Sequence, residues 1–254
     1  MPAVNPGTVS LVAWWSLESD GTDATGRGNT ATPNGTPTYG AGVVSNAASV
    51  NGTTQYFSAA HNADTSTGDE DYTVAGWVKF TDIAGVYSAW GKMSAASGFT
   101  RGPTLFIAGS STLFFRIYDS TGNARSISKA TAVSAGTWAH VACSYTASSQ
   151  AVSMTINAGT PTTGDFSAYT FLDSGGVFAL GRRGDASWYH KGALDEFCIY
   201  KRVLSADEIT WLYNAGAGRT YADLIEGQPA AIRGVFVPGM TTGGRRIIRA
   251  GWGG

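Results

Sequence analysis

The apolar residues of this chain come in short alternating runs, and the gaps between them are filled largely by glycine, serine, threonine, asparagine and aspartate. Tyr72–Phe80 alternates along its length, and Val152, Met154 and Ile156 point away from Ser153, Thr155 and Asn157. A period of two sends successive side chains to opposite faces of a strand. Such runs, recurring at about 8–12 residues with turn signals between them, predict a two-layer all-β sandwich. Further runs fall at Leu11–Glu18, Ala47–Val50, Gln55–Ala59, Leu105–Ala108, Leu113–Tyr118, Trp138–Tyr145 and Val177–Gly181. The dipeptides Asp20-Gly21 and Asn51-Gly52, and the pair Gly26 and Gly28, mark turns. Trp14 and Trp15, adjacent in the first run, must face opposite sides.

One stretch departs from this pattern, GALDEFCIYKRVLSADEITWLYNAG at 192–216. It reads as a closing strand followed by one short helix. Strict alternation sends Leu194, Glu196, Cys198 and Tyr200 to one face, and Asp195, Phe197 and Ile199 to the other. Ser205 with Glu208 three residues on predicts a capping box. Ile209, Leu212 and Tyr213 give the helix an apolar stripe, and Gly216 suits its left-handed end.

This stretch resembles the closing strand and helix of the concanavalin A-like jelly rolls of the laminin-G and pentraxin type. LVAWWSLESDGTDATGRGN at 11–29, YTVAGWVKF at 72–80 and TWAHVACSY at 137–145 agree with that family in order. The resemblance spans roughly residues 10–221 and implies a two-sheet antiparallel jelly-roll sandwich with one short C-terminal helix. Three regions are expected: a leader at 1–9, the jelly roll at 10–224 and an extended basic tail at 225–254. The resemblance is weak as to function, because this fold serves lectins, adhesion modules, glycan hydrolases and structural domains alike.

Charge narrows the partners. Only 14% of residues are charged and the net charge is −1, against about 25% charged in an ordinary soluble domain. That balance gives no electrostatic case for nucleic acid. No apolar run approaches the length of a membrane-spanning helix. The opening MPAVNPGTVSLVAWW has neither a basic n-region nor a cleavage site. A component released together with a particle needs no such signal, so a virion or extracellular surface is the expected location. The tail holds Arg233, Arg245, Arg246 and Arg249 against the single acid Glu226. Its two small apolar groups could not form a core alone. It reads as an arm that anchors the chain to neighbouring structural subunits, in a homo-oligomer or larger assembly.

No catalytic machinery is legible. The hydrolases of the resembled family carry E-x-D-x-E on one strand, and the chain lacks it. Asp195 and Glu196 are adjacent, which in a regular strand sends them to opposite sides. His140 reads as a hydrogen-bonded structural histidine, and His61 and His190 as surface loop residues. Calcium is the better candidate, since hard cations take carboxylate and carbonyl oxygens. The loop Asp20–Asn29 supplies Asp20, Asp23 and Asn29, and Asp195 sits among apolar neighbours where a carboxylate needs compensation. The resemblance implies that Asp23 and Asp195 meet around a structural calcium; otherwise Asp23 caps a turn and Asp195 pairs with an arginine or backbone amides. The ligand-binding calcium pair of pentraxins has no counterpart, because Arg182, Arg183 and Gly184 leave only Asp185 there.

Aromatics stranded in polar loops point to sugar recognition. Trp188 and Tyr189, with Arg182, Arg183 and Asp185 beside them, form the best cluster, and Trp188 is expected to be the freer ring. Phe99 and Arg101 form a weaker one. Arg183-Gly184-Asp185 matches an integrin-type tripeptide. The two cysteines, Cys143 and Cys198, are expected to be buried free thiols, the pentraxin disulfide partner being replaced here by Ala75. The reading that results is a non-catalytic laminin-G-like binding or adhesion domain, displayed on a particle, with surface glycans as candidate ligands. A free or secreted carbohydrate-binding lectin module is the alternative.

Overall fold

The computed structural model describes residues 3–93, 101–109 and 111–226. The strands in chain order begin β1 (Leu11–Trp15), β2 (Thr32–Asn34), β3 (Thr38–Ala41), β4 (Asn46–Asn51) and β5 (Tyr56–Ala59). Then come β6 (Tyr72–Phe80), β7 (Tyr87–Met93), β8 (Arg101–Ala108), β9 (Thr112–Tyr118) and β10 (Ala124–Lys129). The last five are β11 (Trp138–Thr146), β12 (Ala151–Ile156), β13 (Thr162–Asp165), β14 (Phe178–Leu180) and β15 (Lys191–Tyr200). Two antiparallel sheets result. The eight-stranded sheet runs β13-β12-β11-β6-β15-β4-β3, with β1 also on β15, and the seven-stranded sheet runs β10-β9-β8-β7-β14-β5-β2.

Alternation builds two cores. Val74, Val78, Cys143, Phe197 and Ile199 meet Phe57, Trp90, Leu105, Phe115 and Phe178 between the sheets. Trp15 belongs to that core and its neighbour Trp14 to the other, as the sequence requires. The second core seals the outer face of the eight-stranded sheet, where Ala75, Ala142 and Cys198 lie under Leu204, Ile209, Leu212 and Leu224. Those last residues come from the helix α1 (Ala206–Tyr213), its approach, and a second helix α2 (Tyr221–Glu226). Cys143 and Cys198 are free and face opposite cores. Cys143 pairs across the sheet with Val74, and Ala75 stands opposite Cys198.

The capping box of α1 is present, with Ser205 accepting from the Glu208 N–H and Glu208 closing back on the Ser205 N–H. Arg202 clamps the Glu208 carboxylate through two bonds of 2.7 and 2.9 Å. The left-handed end falls on Asn214 (φ 47°), two residues before the expected Gly216. Residues read as a leader are tied into the fold: Asn5 Nδ2 donates to the Leu224 carbonyl at 3.0 Å, and the Tyr200 hydroxyl donates to that of Gly7. Among the described residues no helix is long and apolar enough to cross a membrane. Arg233, Arg245, Arg246 and Arg249 lie outside the described residues, as does Phe99.

Candidate functional site

The helices cover one sheet, which leaves the outer face of the seven-stranded sheet for other uses. Inward Leu113, Phe115 and Ile117 on β9 send Phe114, Arg116 and Tyr118 outward. On β8 the same rule sends Phe106 outward between Leu105 and Ile107. The connection from β14 to β15 folds back across these strands and brings Trp188 onto them. Its ring lies 4.7 Å from Phe106. The Arg183 guanidinium sits 3.9 Å from the same indole, and Arg116 lies 4.7 Å over Phe106 and 5.9 Å from Trp188. Stacking of planar cations on rings is favourable, more so as water is excluded.

This loop is held in one shape. Arg183 gives Nε and a terminal nitrogen to the two oxygens of Asp185 at 2.8 and 2.5 Å, and Ser187 donates to the same carboxylate at 2.7 Å. Burial pushes the Asp185 carboxyl up, but the Arg183 and Ser187 bonds outweigh it and hold the group below its ordinary value. The Trp188 carbonyl accepts from the Ser88 N–H at 2.7 Å, which pins the loop to β7. Trp188 itself adopts φ 53°, a left-handed conformation unusual for a bulky side chain.

The predicted cluster therefore divides. Arg183, Asp185 and Trp188 share the patch with Phe106 and Arg116. Arg182 and Tyr189 turn to Tyr56 instead, with the Arg182 guanidinium 3.7 Å over the Tyr56 ring and Tyr189 edge-on at 6.0 Å. Trp188 is partly buried on Phe106 rather than free in a loop. The Arg-Gly-Asp tripeptide spends both charged groups on each other, so it does not present the open pair an integrin-type ligand would need. Phe106 and Arg116 escaped the sequence reading; the alternation of β9 placed Arg116 outward, but only the fold brings it to Trp188. The side chain of Arg101 lies outside the described positions.

The proposed calcium ligands carry hydrogen bonds on most of their oxygens. Asp23 Oδ1 accepts from the N–H groups of Trp14 and Thr25 and from the Thr25 hydroxyl, and Oδ2 accepts from the Asn29 N–H. Asn29 Nδ2 donates to the Val12 carbonyl at 2.7 Å and to Asp64 at 3.0 Å, while its oxygen accepts from Asn62. Asp195 Oδ2 accepts from the N–H groups of Val43 and Val44 at 2.8 and 3.0 Å. N–H donors reach both Asp23 oxygens, and none of these hydrogen bonds joins Asp23 to Asp195. Among the described residues no cluster of three metal-ligating acidic, histidine or cysteine side chains forms. The hydrogen bonds themselves are those of a turn cap at Asp23 and of a carboxylate held by backbone amides at Asp195.

Strict alternation fails in β15. The register shifts between Asp195 and Cys198, so that Glu196 and Phe197 together oppose Gly76 across the sheet. This is a β-bulge, with Glu196 in the left-handed region at φ 46°. It returns Leu194 and Phe197 to the same inner core and turns both adjacent carboxylates outward, Asp195 to the β3–β4 turn and Glu196 to Trp14. Glu196 accepts a hydrogen bond from Trp14 Nε1. Both side chains are buried, and Asp195 Oδ1 and Glu196 Oε1 have no hydrogen-bond partner. Burial pushes the Asp195 carboxyl up to about 7 and that of Glu196 up to about 8, where Asp195 and Glu18 add repulsion.

The histidines are also corrected in part. His190 is fully buried, not a surface residue; Nε2 lies 3.1 Å from the Lys79 carbonyl and 3.3 Å from that of Ala193. His140 is structural, meeting Trp77 edge-on at 5.2 Å, but its Nδ1 lacks a hydrogen-bond partner. His61 is exposed, 3.1 Å from the ammonium of buried Lys92, which bonds Asp173 at 2.5 Å.

A protein-family model described as the concanavalin A-like lectin/glucanases superfamily matches residues 51–210. A sequence search of curated proteins finds no match. Among solved structures, the binding domain of Paraclostridial Mosquitocidal Protein 1 superposes with a TM-score of 0.67 at 17% identity, over 82% of this chain and 52% of that one. The botulinum neurotoxin serotype G binding domain gives 0.63 at 13% identity, over 81% and 51%. Domain 4 of AbnA, a GH43 extracellular arabinanase from Geobacillus stearothermophilus solved in complex with arabinotriose, gives 0.61 at 22% identity, over 79% and 97%. The chain thus spans about half the length of the toxin domains and nearly all of the arabinanase domain. At these identities the likeness is one of fold.

Proposed function

The chain belongs to the concanavalin A-like lectin/glucanases superfamily, and we propose that it is a non-catalytic module that binds glycans on the outer face of its seven-stranded sheet. The observation that carries this reading is the patch of Trp188, Arg183 and Arg116 seated over buried Phe106, on the face that α1 and α2 leave uncovered. The part of the indole not covered by Arg183 offers a surface for sugar C–H groups, and Arg116 beside it offers donors for hydroxyls. A hydrolytic role has less support. Retaining glycan hydrolases need two carboxylates flanking the scissile bond, and the adjacent pair here is buried. Arabinotriose, the sugar bound to the similar arabinanase domain, is a sensible first probe.

The test is binding to a panel of neutral oligosaccharides, arabinotriose included, by the chain and by Arg116→Ala and Trp188→Ala. Loss of about 1–3 kcal/mol of affinity in variants that still fold is the expected result. Undiminished binding in both removes the platform. Display on a virion or similar particle is a finer reading, carried by the four arginines of residues 225–254. Light-scattering mass of the full chain beside a version ending at Glu226 checks it. Assembly of the full chain alone supports an anchoring arm, and monomers in both cases reject one.

A further inference from the structure

A cleft of about 310 Å³ opens at one end of the sandwich, between the β9–β10 turn and the loop that follows β13. It is rigidly built. Asp119, 5% exposed, accepts at Oδ1 from the N–H groups of Thr121 and Asn123 and from the Thr121 hydroxyl. Its Oδ2 takes Nε and a terminal nitrogen of Arg125 at 3.3 and 3.1 Å. The opposite wall is tied to this turn by the Ser120 N–H donating to the Thr170 carbonyl at 2.7 Å. Arg125 lies 3.6 Å over the ring of Tyr169 and fixes that ring in the wall.

These contacts decide what the cleft could take. The Arg125 nitrogens that would make a two-pronged grip on phosphate or carboxylate are engaged by Asp119. All of these hydrogen bonds to Asp119 come from the cleft's own wall, so its oxygens are not open to a cation. What remains at the rim is uncharged: the exposed Ser120, Thr121, Asn123 and Thr170, beside a half-buried phenol ring. We propose that this cleft is a second, separate saccharide site, which receives the end of a neutral glycan. Hydroxyls would exchange hydrogen bonds with the polar rim while a sugar C–H edge meets the exposed edge of Tyr169, whose face Arg125 covers. The volume lies at the lower end of the range for small-ligand sites. The proposal rests on the reading of the chain as a glycan-binding module, but not on the Trp188 platform.

The experiment titrates the full chain with arabinotriose, xylotriose and cellotriose, and separately with inorganic phosphate. Thr170→Trp fills the cleft from an exposed position, and Asn123→Ala removes a rim amide without touching the core. Weakening of trisaccharide binding by roughly tenfold or more in Thr170→Trp, with an unchanged melt and a smaller loss in Asn123→Ala, is expected. Binding sensitive only to Trp188→Ala and Arg116→Ala overturns the cleft and leaves the platform standing. Binding of phosphate but of no trisaccharide overturns the ligand class. No binding to any probe overturns both readings.

Discussion

The buried carboxylate pair of β15 predicts a stability that falls as pH rises. An unfolded chain ionises Glu196 near 4.5, whereas the native site holds its proton up to about 8. Its contribution is therefore fully present below about 4.5, declines between there and about 8, and is gone above. At about 1.4 kcal/mol per pKa unit, the ceiling is about 5 kcal/mol. Local relaxation and entry of water reduce this to about 2–3 kcal/mol. The perturbation is Glu196→Gln, which keeps an acceptor for Trp14 Nε1 and cannot ionise. For a domain of this size 1 kcal/mol moves the midpoint by about 2–4 °C. Thermal melts by circular dichroism at pH 5 and pH 9, in EDTA so that no divalent cation favours the ionised pair, should separate the two proteins by about 5–10 °C at pH 9 only. An equal gap at both pH values would refute the reasoning, because it would mark a packing effect with no proton in it.

Three other outcomes are expected. His140, buried with a pKa near 3, makes the native state resist a proton that the unfolded chain accepts below about 6.5; His140→Phe should gain about 2 kcal/mol over wild type on going from pH 7.5 to pH 5, checked by urea melts at both. Gly76→Ala would set a methyl carbon 2.6 Å from the Phe197 ring, and should cost about 1–3 kcal/mol in the same melts through overpacking; a neutral result would show that the bulge in β15 yields. EDTA should leave the melting temperature of the wild type unchanged, since N–H donors occupy the Asp23 oxygens; a fall of several degrees that Asp195→Asn abolishes would restore a structural calcium.

The long apolar strands are legible because both of their faces are buried. Tyr72–Phe80 and Trp138–Thr146 carry almost unbroken burial, and their sequences alternate between the two cores. The strands that leave little trace in the sequence include the peripheral TPN of β2, TYGA of β3, ARSISK of β10 and TTGD of β13. Backbone pairing to a neighbour holds them, and a polar strand with one exposed side carries little periodic signal. Strict alternation misplaces Leu194 and Asp195 relative to the rest of β15 for a related reason. A bulge moves every later side chain across the sheet, and nothing in LDEF announces one. The loop at 182–190 stands out in the sequence as a cluster and its Arg183–Asp185 pair is local, yet the seat of Trp188 on Phe106 depends on a contact between distant parts of the chain.

The hydrogen bond between Asn5 and the Leu224 carbonyl brings the two ends of the described fold to a single spot on the helical side. That junction lies across the sandwich from the sheet that carries Trp188, so a change at Asn5 or Leu224 would disturb the helical layer and leave the aromatic face in place.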